Sequence, residues 1–157
     1  MKTYLDFAST TPMATEVIEE MHAVMSEASF GNPSSLDHEY GIRAKNIIEE
    51  SRNEVASLIN AKPEEIVWTS GATESNNLAI VGFHQFQYKN QALRFVTSHL
   101  EHKSVIESLQ SVEALGSNVS YIQPNKDGQI DIETFTSQLD PNTTFVSCMH
   151  INNETGA

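Results

Sequence analysis

Residues Ile66-Val67-Trp68-Thr69-Ser70-Gly71-Ala72-Thr73-Glu74-Ser75 run from a short apolar stretch through a glycine turn into a helix-favouring segment. Ile66–Thr69 suits a buried strand, and the stretch near 74–88 suits a helix, so the segment reads as strand, tight turn and helix. Units of this kind build α/β domains. The turn also has chemistry of its own. Glycine lets the backbone come close to a ligand, and the start of the helix presents unpaired N–H groups at the positive end of its dipole. Those groups suit an anion, with the Thr73 hydroxyl as a further donor. The turn is neither a Walker A loop nor a Gly-x-Gly-x-x-Gly fingerprint, and an ordinary strand-to-helix turn has the same local pattern.

Outward from this segment the pattern stays α/β. Phe95–Thr97, Val119–Ile122 and Phe145–Met149 are further short apolar runs, expected as buried strands. Between them, 103–115 and 131–139 are expected as helices, the second opened by Asp131 as N-cap. Upstream, Leu5–Pro12 reads as an extended arm, because Thr11 before Pro12 is driven from helical dihedrals. Val17, Ile18, Met21, Val24, Met25 and Ala28 mark an amphipathic helix, and Ala44, Ile47, Ile48, Ser51, Val55, Leu58 and Ile59 a longer one. The loop Phe30–Ser35 separates them and Lys62-Pro63 ends the second. The expected organisation is an arm over 1–14, helices over 15–60 and an α/β region over 61–157. The alternation argues for a largely parallel or mixed sheet covered by helices.

Composition narrows the function. The 157 residues carry 9 Lys+Arg against 21 Asp+Glu, a formal charge of 9 − 21 = −12. An acidic surface disfavours phosphodiester backbones, so no nucleic-acid binding is expected. A single Cys excludes an internal disulfide, and an apolar content of 39% excludes a disordered chain. No apolar run approaches the roughly 20 residues of a membrane span, and the N-terminus lacks a signal-peptide pattern, so a cytoplasmic chain is expected. His99 and His102 lie three apart, but no zincin motif or third ligand accompanies them, and no metal site is expected.

Five segments together carry far more than any one. In order they are Tyr4-Leu5-Asp6 with Thr10-Thr11-Pro12; Phe30-Gly31-Asn32-Pro33-Ser34-Ser35 with His38; Thr69–Asn77; Glu101-His102-Lys103; and Met149–Gly156. In this order they closely resemble the cysteine desulfurases, pyridoxal-phosphate enzymes of the class V aminotransferase superfamily, and most of all the iron–sulfur cluster assembly branch. The resemblance runs over essentially the whole chain and covers the opening part of such an enzyme.

It implies the aspartate-aminotransferase-like large domain of fold-type I, here incomplete: three layers, α/β/α, around a mixed sheet. It also implies that pyridoxal 5'-phosphate is the cofactor. Ala72 and Thr73 match the family's phosphate cradle. His102 matches the histidine that stacks on the pyridine ring and is a candidate for proton transfer. Asn153 matches the asparagine near the ring hydroxyl, and Asn32 a loop residue near substrate. The implied reaction converts L-cysteine to L-alanine and delivers persulfide sulfur to an acceptor or scaffold protein, for iron–sulfur clusters or tRNA thiolation. A homodimer is implied as well. Selenocysteine lyases share the Ser-Gly-Ala-Thr-Glu turn and the His102 position, which leaves that substrate open, and a catalytically inactive, partner-binding half is the non-enzyme alternative.

The family's cofactor-binding lysine, its aspartate at the pyridine nitrogen, its substrate arginine and its loop cysteine all match positions later than Ala157. These 157 residues alone are therefore expected to be inactive. Of the six lysines only Lys103 adjoins a motif, and it is expected on a solvated helix face. Cys148, inside the run Phe145–Met149, is expected as a buried strand cysteine rather than the nucleophile.

Overall fold

Phe95 and Val96 are adjacent in the chain and neither is exposed to solvent, yet they enter different cores. Successive residues of a strand face opposite sides of a sheet, so one strand here is covered on both faces. That strand is β1, Arg94–Ser98. It is the centre of a three-stranded sheet, flanked by β2 (Asn118–Ile122) and β3 (Thr143–Val146) in the order β2-β1-β3. Both pairings are parallel, so the sheet is wholly parallel rather than mixed.

The computed structural model describes residues 3–26, 30–88 and 92–157. They divide into two units, Met1–Trp68 and Thr69–Ala157.

In the second unit, α3 (Ala72–Asn77), a wider i→i+5 turn (Leu78–Gly82) and α4 (Phe83–Gln87) form one continuous helical run. Helix α5 (Lys103–Ala114) follows β1, and α6 (Ile132–Ser137) follows β2. Phe95 packs with Ile80, Val105, Leu109 and Val112, which puts the α3–α4 run and α5 over one face. Val96 packs with Ile122 and Phe135, which puts α6 over the other. These are the three layers that the family resemblance implies. The predicted N-cap of α6 is present, with the Thr134 amide donating to Asp131 Oδ2 at 2.7 Å. The carboxyl is held below its usual range by the hydroxyl and amide of Thr134.

Two strand expectations fail, for visible reasons. Ile66–Thr69 is extended but joins no sheet. The Ile66 carbonyl instead accepts from Arg52 Nη1 at 2.6 Å, and the Arg52 guanidinium lies 5.6 Å from the centre of the Trp68 ring. A carbonyl and ring held by one arginine leave little for a ladder. The strand expected over 145–149 begins earlier and stops at Val146. Thr144 makes an irregularity in the pairing with β1, its hydroxyl taking the Arg94 amide at 3.1 Å and donating to the Arg94 carbonyl at 2.9 Å. One more ladder bond follows, Ser147 N–H to the Val96 carbonyl at 3.0 Å, and the backbone then turns away. Cys148 is consequently exposed, not buried within a strand.

The first unit holds α1 (Thr15–Val24) and α2 (Glu39–Leu58), followed by a 3-10 turn at Pro63–Glu65. Ala28, expected on the first helix, lies outside the described residues. His38 caps α2, its Nδ1 accepting from the Gly41 amide at 3.2 Å. A Cβ on Gly41 would stand 1.7 Å from the Ser35 carbonyl oxygen, so only glycine lets the Asn32–Ser35 loop lie against the first turn of α2.

Candidate active site

Parallel strands send their C-terminal ends to the same edge of the sheet, where loops gather and ligands bind. Here the β1–α5 loop, His99–His102, meets the loop that follows β3. Two side chains tie them together. The Glu101 carboxylate accepts from the Met149 amide and from Ser147 Oγ, the latter at 3.1 Å. Asn152, only 8% exposed, donates from Nδ2 to the Leu100 carbonyl at 3.0 Å. Its Oδ1 accepts from the Glu154 amide, the Thr155 amide and the Thr155 hydroxyl at 2.9, 2.9 and 3.1 Å. Asn152 therefore shapes the 152–155 turn, and its neighbour Asn153 is left exposed.

His102 and Asn153 line one cleft of about 360 Å³, together with His99, Glu101 and Lys103. The His102 ring is exposed and serves as N-cap of α5. Its Nδ1 accepts from the Ser104 amide at 3.1 Å and lies 2.8 Å from Ser104 Oγ. Asn153 Nδ2 donates to Glu154 Oε1 at 3.2 Å, an exposed contact that a ligand oxygen could replace. Lys103 is on the solvated face of α5, 3.5 Å from Glu107.

Ala72 and Thr73 open α3 in the same unit, and neither lines that cleft. Their connection to it is through side chains: Asn76 on α3 donates to Ser104 Oγ at 2.8 Å. The turn before α3 is held by Glu74, whose Oε2 accepts from both the amide and the hydroxyl of Ser70 at 2.6 Å. Those two bonds, the hydroxyl first, keep the Glu74 carboxyl below its usual range. The bonds also occupy the Ser70 donors, while among the described residues the Ala72 and Thr73 amides and Thr73 Oγ1 have no protein acceptor. Nothing lies within 4 Å of where a Cβ on Gly71 would stand. Two amides and a hydroxyl facing open space form a donor set that fits a phosphate.

Asn32 belongs to the first unit. Its Oδ1 accepts from the Ser34 amide at 3.0 Å and its carbonyl from the Ser35 amide at 3.0 Å, so its side chain closes a local turn. Cys148 is exposed but poorly activated: partial burial and the Glu101 charge push its thiol above the usual value.

Glu101, Asn152 and Asn76 lie inside the quoted segments but were given no role of their own, and Ser104 lies outside those segments. Only Asn152 carried a signal, sitting between a strand and a turn in an Asx-type pattern. The other three act across sequence separations that local patterns do not encode.

The family description "Aminotransferase class-V" matches residues 3–157. The chain belongs to that family. Over 153 residues it is 46% identical to the cysteine desulfurase IscS of Methylobacillus flagellatus, covering 98% of this chain and 38% of the relative. It is 43% identical to the protein of the same name from Methylococcus capsulatus, again over 98% of this chain and 38% of the relative. Among solved structures, a NifS-like protein superposes with a TM-score of 0.91 at 33% identity, over 98% of this chain and 42% of that one. SspA in complex with cysteine superposes with a TM-score of 0.88 at 37% identity, covering 98% of this chain and 43% of that one. The class-V chain described here thus spans about two fifths of the length of these relatives. Class-V aminotransferases and cysteine desulfurases are pyridoxal-phosphate enzymes, which agrees with the phosphate-like donor set. Among the described residues no helix is long and apolar enough to cross a membrane, and no cluster of side chains could hold a metal ion.

Proposed function

We propose that this chain is the pyridoxal-phosphate-facing part of a cysteine desulfurase, which takes sulfur from L-cysteine, releases L-alanine and hands the sulfur to an acceptor protein. The observation that carries the reading is the open donor set of Ala72 and Thr73 in the same unit as the exposed His102 ring and the Asn153 amide. The relatives named cysteine desulfurase support it along 98% of the chain. When bound, pyridoxal phosphate supplies an electron sink for loss of a substrate proton.

This chain's own residues do four things. The Ala72 and Thr73 amides and the Thr73 hydroxyl hold the phosphate. The His102 imidazole would cover the ring and be available to move a proton. The Asn153 amide donates to the ring hydroxyl. Asn32 is assigned to substrate by the family resemblance. A sulfur-acceptor or scaffold protein and a homodimer complete the reading.

Titration of the chain with pyridoxal phosphate tests the cradle. Thr73→Ala is expected to weaken binding at least about tenfold, the worth of one hydrogen bond to a charged group. Equal binding of pyridoxal lacking the phosphate would refute the assignment. In the complete enzyme, His102→Ala is expected to lower alanine formation from L-cysteine by about 100-fold or more.

A further inference from the structure

Ser104 is 4% exposed, and its hydroxyl stands between two polar groups. On one side Asn76 Nδ2, from α3, lies 2.8 Å away. On the other, His102 Nδ1 lies 2.8 Å away. The direction of every bond in this row follows from one backbone group. The Ser104 amide points at His102 Nδ1 at 3.1 Å, and an amide can only donate, so Nδ1 holds a lone pair and no proton. The Ser104 hydroxyl facing the same nitrogen must then donate its single hydrogen to it. That leaves the hydroxyl oxygen as an acceptor, which the Asn76 amide fills as a donor.

The row therefore runs Asn76 N–H to Ser104 O–H to His102 Nδ1, and the neutral imidazole carries its proton on Nε2. Among the described residues Nε2 has no protein partner, so it is the nitrogen left for the cleft. The Ser104 amide thus sets the tautomer of His102, and Asn76 ties the helix of the proposed phosphate donors to the same row.

We propose that Asn76 and Ser104 are positioning residues that hold His102 as the Nε2–H tautomer and couple its ring to the helix of the anion cradle. The value of that tautomer for catalysis rests on the function proposed above; the tautomer itself does not. A histidine fixed this way offers the cofactor or substrate a hydrogen-bond donor at Nε2 from the outset, without first having to reorient.

The test is nitrogen-15 NMR of the His102 ring in the chain, at a pH of about 8 where imidazole is neutral. In the wild type, Nδ1 is expected to give an unprotonated signal and Nε2 a protonated one. Asn76→Asp replaces the donor with an acceptor, draws the Ser104 hydrogen to itself and frees Oγ to accept from the ring. It is expected to raise the Nδ1–H to Nε2–H ratio about fivefold, the factor carried by one ordinary hydrogen bond. Ser104→Ala, which keeps the backbone donor, is expected to move the ratio the same way, and Ser104→Thr to restore it. Asn76 is only half-buried, so Asn76→Asp remains informative if the Ser104 variants do not fold. A wild-type ring in the Nδ1–H form, or a ratio unchanged by Asn76→Asp in a folded chain, overturns the proposal. Failure to bind pyridoxal phosphate alongside a tautomer that responds as stated would count against the function and uphold the positioning row.

Discussion

Replacing Asn152 with alanine should loosen the cleft while leaving the sheet beneath it intact. The Asn152 side chain makes four hydrogen bonds: one given to the Leu100 carbonyl and three received from Glu154 and Thr155. A typical intramolecular hydrogen bond contributes about 1 kcal/mol net, but the three received bonds share one oxygen and do not add in full. The Glu154 and Thr155 amides can also find water once released, because both residues are exposed. The expected loss is about 2 kcal/mol for the closed state of the loop. Read as local opening, that corresponds to about 30-fold faster amide exchange at Glu154 and Thr155. Exchange at Phe95 and Val96, in the buried strand, should be unaffected in the regime where only the loop opens. Asn152→Asp separates the terms. It keeps the acceptor for all three received bonds but sets a carboxylate against the Leu100 carbonyl, so it should disturb the Leu100 link and retain the turn. Hydrogen exchange followed residue by residue is the assay. A change below about threefold at Thr155 in the alanine variant would refute the claim that Asn152 shapes this turn.

Further predictions concern other groups. Glu74 has its carboxyl lowered by the Ser70 hydroxyl and amide, so its contribution to the turn is present at neutral pH and lost as pH falls from the ordinary glutamate range through the lowered value. Glu74→Gln should remove that acid-dependent loosening at Ser70, as followed by the Ser70 amide signal in a pH titration. Phe95→Ala, at a site with no solvent exposure and aromatic neighbours Phe83 and Phe145 at 6.3 and 5.4 Å, should cost about 3–5 kcal/mol in urea unfolding of the second unit. Cys148 should alkylate more slowly than an unhindered peptide cysteine at neutral pH, and Glu101→Gln should speed it, since burial and then the Glu101 charge raise its pKa. Cys148→Ala in the complete enzyme should leave sulfur release within about twofold of wild type, the effect of an exposed, uninvolved side chain.

Where the chain's local chemistry decides the structure, it was legible. The helix expected over 103–115 forms over Lys103–Ala114, and the runs at 95–97 and 119–122 become β1 and β2 with little change in their ends. Asp131 caps as its type predicts. The helix and cap depend on bonds spanning four residues or fewer, and the strands on apolar runs that set their extent. The misreadings fall where a distant side chain takes a backbone group. Ile66–Thr69 has the composition of a strand, but Arg52, 14 residues away, takes the Ile66 carbonyl. Phe145–Met149 is apolar but for Ser147, yet Glu101 takes the Met149 amide, and the strand ends before Cys148. No pattern within either segment encodes those partners.

The same reasoning explains why the site was legible only in part. The turn around Gly71 and Thr73 stood out by its local pattern, whereas Ala72, His102 and Asn153 were assigned through the family resemblance. The groups that hold them in place do not share that pattern. Glu101 reaches 46 residues to Ser147, Asn152 reaches 52 to Leu100, and Asn76 reaches 28 to Ser104. Each bond joins two elements that only the parallel sheet and its covering helices bring together. The groups proposed to face a ligand are therefore presented by local structure, and tertiary bonds join the elements that carry them. It follows that changes to Asn76, Glu101 or Asn152 should misplace the ligand-facing groups without removing them. Their effect should fall on the geometry of binding and proton transfer more than on whether the second unit folds, because the cores around Phe95 and Val96 include none of the three.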